Sequence, residues 1–179
     1  YRLAQETHLM HHSHTNDPLK DPDYSVKADN LSNALWVNLF VNRHKDLPYL
    51  EFLEESSVKE RVLIEALITR VFYWMILVLF VWTGYGIEVM LIWWLPRLIG
   101  SGYIQMTLAW APHHPMEEQG RYRDTRSFKA ALGTFLTLGM EYHIIHHLHP
   151  AIPLNLNPAA YRALKPILEE RNCRLDNNL

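Results

Sequence analysis

The sequence predicts an all-α integral membrane protein, a helical hairpin in the bilayer carrying a cytosolic helical cap rich in histidine. Three observations predict it. Residues 71–87 (VFYWMILVLFVWTGYGI) hold no charge, and after Glu88 a second apolar run reaches Pro112 with Arg97 as its one charged residue. Ten of the 11 histidines fall in three short windows flanking these runs. Helical rather than strand periodicity dominates elsewhere, and no strand signal stands out. The length of 179 residues fits one domain. A composition 49% hydrophobic and 20% charged argues against a long disordered tail. The net charge of −2 gives no reason to expect a nucleic-acid partner. The single cysteine, Cys173, excludes an internal disulfide framework and any cysteine-based zinc or iron–sulfur site.

In chain order, the first histidine window is Glu6-Thr7-His8-Leu9-Met10-His11-His12-Ser13-His14. Asn30–Val41 is amphipathic, and reads either as a helix lying in the membrane interface or as an ordinary surface helix. His44, isolated in Asn42-Arg43-His44-Lys45, reads as a surface residue. Ser56–Arg70 is helical by pattern, with Ser57 and Glu60 in capping-box spacing. Two spans follow, about 67–86 and 89–110, joined by a tight Gly84-Tyr85-Gly86 turn. At ~1.5 Å per residue the uncharged stretch alone covers about 26 Å, close to the ~30 Å hydrocarbon thickness. Trp93 and Trp94 suit an interfacial belt, and Arg97 can snorkel to the headgroups from the first turns of the second span. Pro158–Arg171 begins with proline at a helix start and reads as a cytosolic surface helix.

Charge placement orients the hairpin. Of 17 Lys and Arg, seven precede Val62, eight follow His113, and only Arg70 and Arg97 lie between. Two crossings return the chain to its starting side, so both basic flanks share that side, which the positive-inside rule makes the cytoplasm. The expectation is a single domain over 1–179 with cytosolic parts 1–62 and 113–179. Every histidine window then faces the cytoplasm.

Both outer windows contain His-x-x-His-His, as His8, His11, His12 and as His143, His146, His147. On a helix, residues at i, i+3 and i+4 share a face, so three imidazoles at that spacing can converge on a metal ion. Nitrogen ligation suits Zn, Cu, Fe or Ni. A structural zinc site takes four ligands, and the histidines here exceed that number, which favours two metal ions with open positions. Glu6 and Glu141 each precede a triplet by two residues, where a helix turns them off the histidine face, so at most they support the ligands. The middle window, Ala111-Pro112-His113-His114-Pro115, offers a further ligand beyond the second span. His113 is preferred to His114 because it continues the helix end. His14 and His149 lie outside the triplets and read as structural or supporting.

The chain resembles the membrane fatty acid desaturase superfamily, which also contains carotenoid hydroxylases and ketolases. The resemblance rests on HLMHHSHTNDPLKDPD, the hairpin, and EYHIIHHLHPAIP. It includes Asn16-Asp17-Pro18 and Asp21-Pro22-Asp23, and it covers nearly the whole chain. His8, His11 and His12 match the family's second histidine box, His143, His146 and His147 the third, and the His113/His114 window its intermediate histidine. The family's first box, on two preceding spans, has no counterpart here. With a start at Tyr1 rather than Met, the chain reads as an N-terminally truncated fragment showing two of an expected four spans.

The resemblance implies a cytosol-facing site with two iron ions and O2 as co-substrate. It implies a lipid substrate and electrons from a ferredoxin, rubredoxin or cytochrome b5-type donor. His8, His11, His12, His143, His146 and His147 would be catalytic as well as ligating, with His113 a seventh ligand. The expected reaction introduces a double bond into a fatty-acyl chain. The alternatives are hydroxylation or ketolation of a carotenoid or alkyl substrate, which the loop Glu117–Arg126 (EEQGRYRDTR) keeps open, and a non-catalytic histidine-rich membrane metal-binding protein.

Overall fold

The computed structural model describes residues 2–41, 59–130 and 132–178. His44, Ser57 and the first residues of the predicted Ser56–Arg70 helix lie outside them.

Helix α1 (Arg2–His14) carries the first histidine window. Helix α2 (Leu31–Trp36) starts at Asn30, whose side chain accepts from the Asn33 N–H, and runs on as a π-helical segment, Val37–Val41. It is held from one side. Ala34 joins the core, and the buried Asn38 side chain donates to Met106 Sδ and to the Ala34 carbonyl. Leu31, Leu35, Trp36 and Phe40 stay exposed. The amphipathic pattern read in the sequence thus appears as one packed and one open face.

Helix α3 (Lys59–Trp82) merges the predicted Ser56–Arg70 helix with the first span. Its stretch Glu60–Trp82 is long and apolar enough to cross a membrane. Side chains over most of its circumference are exposed, including Leu67, Phe72, Trp74, Val78 and Trp82, while a face through Val62, Ala66, Arg70, Tyr73 and Leu77 is buried or half-buried. A helix apolar on every side, yet covered by protein along one face only, suits lipid rather than water. Only its base docks on the cap, where Val62 and Ala66 pack on Leu3 of α1 and Glu65 pairs with Arg2.

The helix ends at Trp82 because Gly84 takes φ +94, a left-handed conformation that glycine adopts without a Cβ clash. Its N–H bonds the Val81 carbonyl while the Tyr85 N–H reaches Phe80, the paired bonds of a Schellman cap.

Residues 86–113 then form one rod of α segments Gly86–Val89 (α4), Leu95–Ile104 (α5) and Ala111–His113 (α6). Wider π turns, Met90–Trp94 and Gln105–Trp110, lie between them. The prolines explain the widening. Pro96 and Pro112 donate no N–H, and each ring presses on the carbonyl four residues back, at Ile92 and Leu108, both inside a π turn. Because the rod starts at Gly86, Arg97 lies mid-rod, about 16 Å from its beginning, not in the first turns. Its guanidinium stands 5.3 Å over the Tyr73 ring, and Tyr73 also meets Trp93 edge-on at 5.7 Å.

The cap closes with α7 (Thr134–Thr137), α8 (His143–Leu148) and α9 (Asn157–Glu170). Two short strands, β1 (Arg126–Phe128) and β2 (Arg174–Asn177), pair in parallel with Arg126 opposite Arg174, an addition to an otherwise helical chain. With three and four residues, and charges among them, neither shows the alternation that marks a strand in sequence. One core joins Val26, Ala34, Trp110, Met116 and Phe128; a second joins Ile144, Ile145 and Leu148 of α8 to Tyr161 and Leu168 of α9. Trp110 Nε1–H donates to the Ala28 carbonyl at 3.0 Å and ties the rod to the loop before α2.

Candidate metal centre

Three elements deliver histidines to one place: α1, the end of the rod at α6, and α8. Ahead of α8, Gly139 takes φ +88, and a Cβ there would stand 3.2 Å from the Leu154 carbonyl oxygen. Glu141 is buried and accepts from the Thr134 and Thr137 hydroxyls, so it braces the turn into α8 and supplies no metal ligand.

The seven imidazoles sort into two groups, His11, His113, His143 and His147 in one and His8, His12 and His146 in the other. Neither group is a sequence triplet. Along a helix at about 100° per residue, positions i and i+4 differ by about 40°, while i+3 falls about 60° to the other side. Each box therefore gives its i, i+4 pair to one group and its i+3 histidine to the other: His8 and His12 meet His146, and His143 and His147 meet His11. The spacing read in the sequence, which lets three imidazoles converge on metal, thus acquires a partition that spacing alone does not give. The groups abut where the His12 and His147 rings stack, centroids 4.1 Å apart.

In the three-histidine group the Nε2 atoms of His8, His12 and His146 form a triangle with every side 3.1 Å. A ring nitrogen either carries hydrogen or offers a lone pair. Among three nitrogens in mutual contact at least two are alike, so the contacts cannot all be hydrogen bonds. A cation resolves the conflict, because three nitrogens bound at 2.0–2.1 Å and at right angles stand about 3.0 Å apart.

The four-histidine group makes the same demand. His11 Nδ1 lies 2.8 Å from the Asp21 carboxylate and His113 Nδ1 3.1 Å from the Asp124 carbonyl. Both partners only accept, so each Nδ1 carries the hydrogen, and in a neutral ring Nε2 is left with its lone pair. Those two Nε2 atoms face each other at 3.2 Å. The Nε2 atoms of His143 and His147 are buried with no hydrogen-bond partner. Two facing lone pairs and two further inward nitrogens without a hydrogen-bond partner fit a metal ion.

Electrostatics keep most of these rings neutral. Burial, and then the neighbouring imidazoles, hold His143 and His147 well below the ordinary histidine value. The same causes lower His8, bring His146 down to about 4 and His12 down to about 3. His11 differs: burial lowers it, but the Asp21 hydrogen bond and charge outweigh burial and raise it. Asp21 thus favours positive charge at that nitrogen, proton or metal ion alike.

Of the two adjacent candidates, His113 is fully buried in the site, whereas His114 turns its Nδ1 to the Ala28 carbonyl and its ring to Trp110. His14 Nδ1 faces the Met10 carbonyl of its own helix, and His149 is exposed; neither joins a group. The supporting roles of Asp21 and of the Asp124 carbonyl were not read from the sequence. A visible signal was an aspartate within ten residues of a histidine box. A polar cleft of about 420 Å³ opens on His12 and His147 and is lined by Ser13, Thr15, Gln119 and Arg121 among others. Its lining suits water and small polar reagents rather than an alkyl chain.

No curated protein and no solved structure gives a significant match to the chain. The fatty acid desaturase family matches over residues 1–176, which takes in all seven clustered histidines and the apolar helices between them. The chain therefore belongs to the fatty acid desaturase family, whose members are membrane-associated lipid oxidoreductases.

Proposed function

We propose that the chain is an O2-dependent di-iron membrane oxidoreductase that introduces a double bond into a fatty-acyl chain. The observation that carries this reading is the pair of abutting imidazole groups, each with inward nitrogens that a metal ion would satisfy, in a member of this family. His11, His113, His143 and His147 would hold one iron, and His8, His12 and His146 the other. When bound, iron supplies the redox chemistry that activates O2 toward an unactivated C–H bond. The reaction balances as CH2–CH2 plus O2, two electrons and two protons giving CH=CH and two waters. The electrons come from a ferredoxin, rubredoxin or cytochrome b5-type donor.

The protein's share is position and exclusion. Asp21 and the Asp124 carbonyl point the lone pairs of His11 and His113 inward. Burial keeps His143 and His147 unprotonated and ready to ligate. The polar cleft beside His12 and His147 gives protons and water a route that the lipid does not share.

The exposed apolar surface of α3 and the adjoining rod supports a two-span hairpin in the membrane. The basic flanks support a cytoplasmic location for both boxes, within one domain over 1–179. The test is lipid profiling of a host expressing the intact protein, beside the same protein with His146→Ala. New double bonds that vanish in the variant are expected. Hydroxylated or keto lipids, carotenoids included, would instead assign the oxygenase outcome. Metal binding without O2 consumption would reduce the protein to a metal carrier.

A further inference from the structure

We infer that Asn16 and Asp21 are a positioning pair that together set the tautomer and orientation of His11 and His113, and so build the four-histidine group. The inference rests on the reading above that both groups hold metal.

The two residues close a ring of contacts. His11 Nδ1–H donates to Asp21 Oδ1 at 2.8 Å, and Asp21 Oδ2 accepts the Asn16 backbone N–H at 2.8 Å. The Asn16 side-chain amide donates to the Asp124 carbonyl at 2.8 Å, the same oxygen that faces His113 Nδ1 at 3.1 Å. His113 Nε2 then returns to His11 Nε2 at 3.2 Å. Asn16 and Asp21 are each 2% exposed, so water does not compete for these bonds.

Both residue types are needed. The Asp21 carboxylate takes three N–H groups, from His11, Asn16 and Asp23, and donates none. An asparagine at 21 offers one oxygen and one NH2, so whichever way it turns, an N–H meets an N–H. Asn16 has φ +64, a left-handed conformation that asparagine tolerates better than most residues. Its amide also donates to the Glu118 carbonyl at 2.7 Å. An aspartate at 16 would keep the backbone but set a carboxylate against two carbonyl oxygens. Among the described residues, the side-chain hydrogen bonds of the pair reach His11 and the carbonyl that orients His113, and not the three-histidine group. The effect should therefore fall on one metal of two.

The test uses the full chain, purified in detergent and loaded anaerobically with iron(II). Iron content, the rate of iron loss to a chelator and the Mössbauer spectrum are compared for the unaltered protein, Asp21→Asn and Asn16→Asp. Each variant is expected to release one of its two irons about 10- to 100-fold faster, the usual consequence of removing a partner that orients a ligand. The quadrupole doublet of that iron should change while the other is kept, with helix content by circular dichroism unaltered. Release of both irons at the unaltered rate with an unchanged spectrum would overturn the inference. Loss of both irons together with helix content would also overturn it, by showing a merely structural role. Fewer than two irons in the unaltered protein would defeat the metal reading itself, before any variant is compared.

Discussion

His146 and His149 stand three residues apart at the end of α8, and only His146 reaches across to α1. Its Nε2 lies 3.1 Å from both His8 and His12, whereas His149 is exposed. His146→Ala takes from the three-histidine group the one ligand that α8 gives it. The expected result is loss of about one metal ion per chain and a fall in lipid-modifying activity of more than about 100-fold, beyond the range typical of residues that only orient a ligand. His149→Ala should leave metal content and most activity intact. Metal analysis and product assay of both variants check the sorting. The candidate ligands were legible in the sequence because His-x-x-His-His carries its own helical geometry. Their partition was not, because an i+3 histidine finds its group only when another helix arrives opposite it. Helix continuity favours His113 over His114, and the structure adds the partners that draw His114 away.

At the scale of elements, α9 is more than a surface helix. The sequence reading gave its limits nearly as observed, Pro158–Arg171 against Asn157–Glu170, but assigned it no role in the site. Its Tyr161 and Leu168 are buried against Ile144, Ile145 and Leu148, the apolar side of the helix that carries the third box. Ile145→Ala should therefore cost about 2–5 kcal/mol, the usual range for truncating a buried aliphatic side chain. It should also lower metal retention although it removes no ligand; thermal unfolding and metal content measure the two effects. Tyr161 joins α9 to the strands, its hydroxyl lying 3.0 Å from Ser127 Oγ and donating to Asp176 Oδ1 at 2.9 Å. Tyr161→Phe should lower stability by about 0.5–1.5 kcal/mol, the usual net worth of a hydrogen bond, because Ser127 keeps the Asp176 N–H and Asp176 keeps Lys165, with metal content unchanged. The strands escaped the sequence reading because their pairing joins residues 48 positions apart, Arg126 with Arg174, through a register no local pattern encodes.

Over the whole molecule, a there-and-back crossing would bring the two boxes to one side of the membrane. Reporters placed at the exposed Leu9 and His149 should map to the same, cytoplasmic face; opposite faces would dismantle the hairpin. Metal and fold are linked as well. Facing lone pairs in the metal-free protein repel, so an ion bound between them stabilises only the folded chain. At iron(II) a thousandfold above its dissociation constant the gain is about 4 kcal/mol per site, and the melting temperature should rise with iron concentration. A melting temperature indifferent to iron(II) would count against both groups as metal sites.

The sequence by itself determined the helical class, the apolar stretches and their turn, and the histidines able to ligate, because each is written in short-range spacing, in runs of like residues or in a glycine at a helix end. Only the tertiary structure decided that each box divides between two groups, that Asp21 and Asn16 orient His11 and His113, and that α9 supports α8. These are contacts between segments far apart in the chain, and their geometry exists only once α1, the rod and α8 pack together.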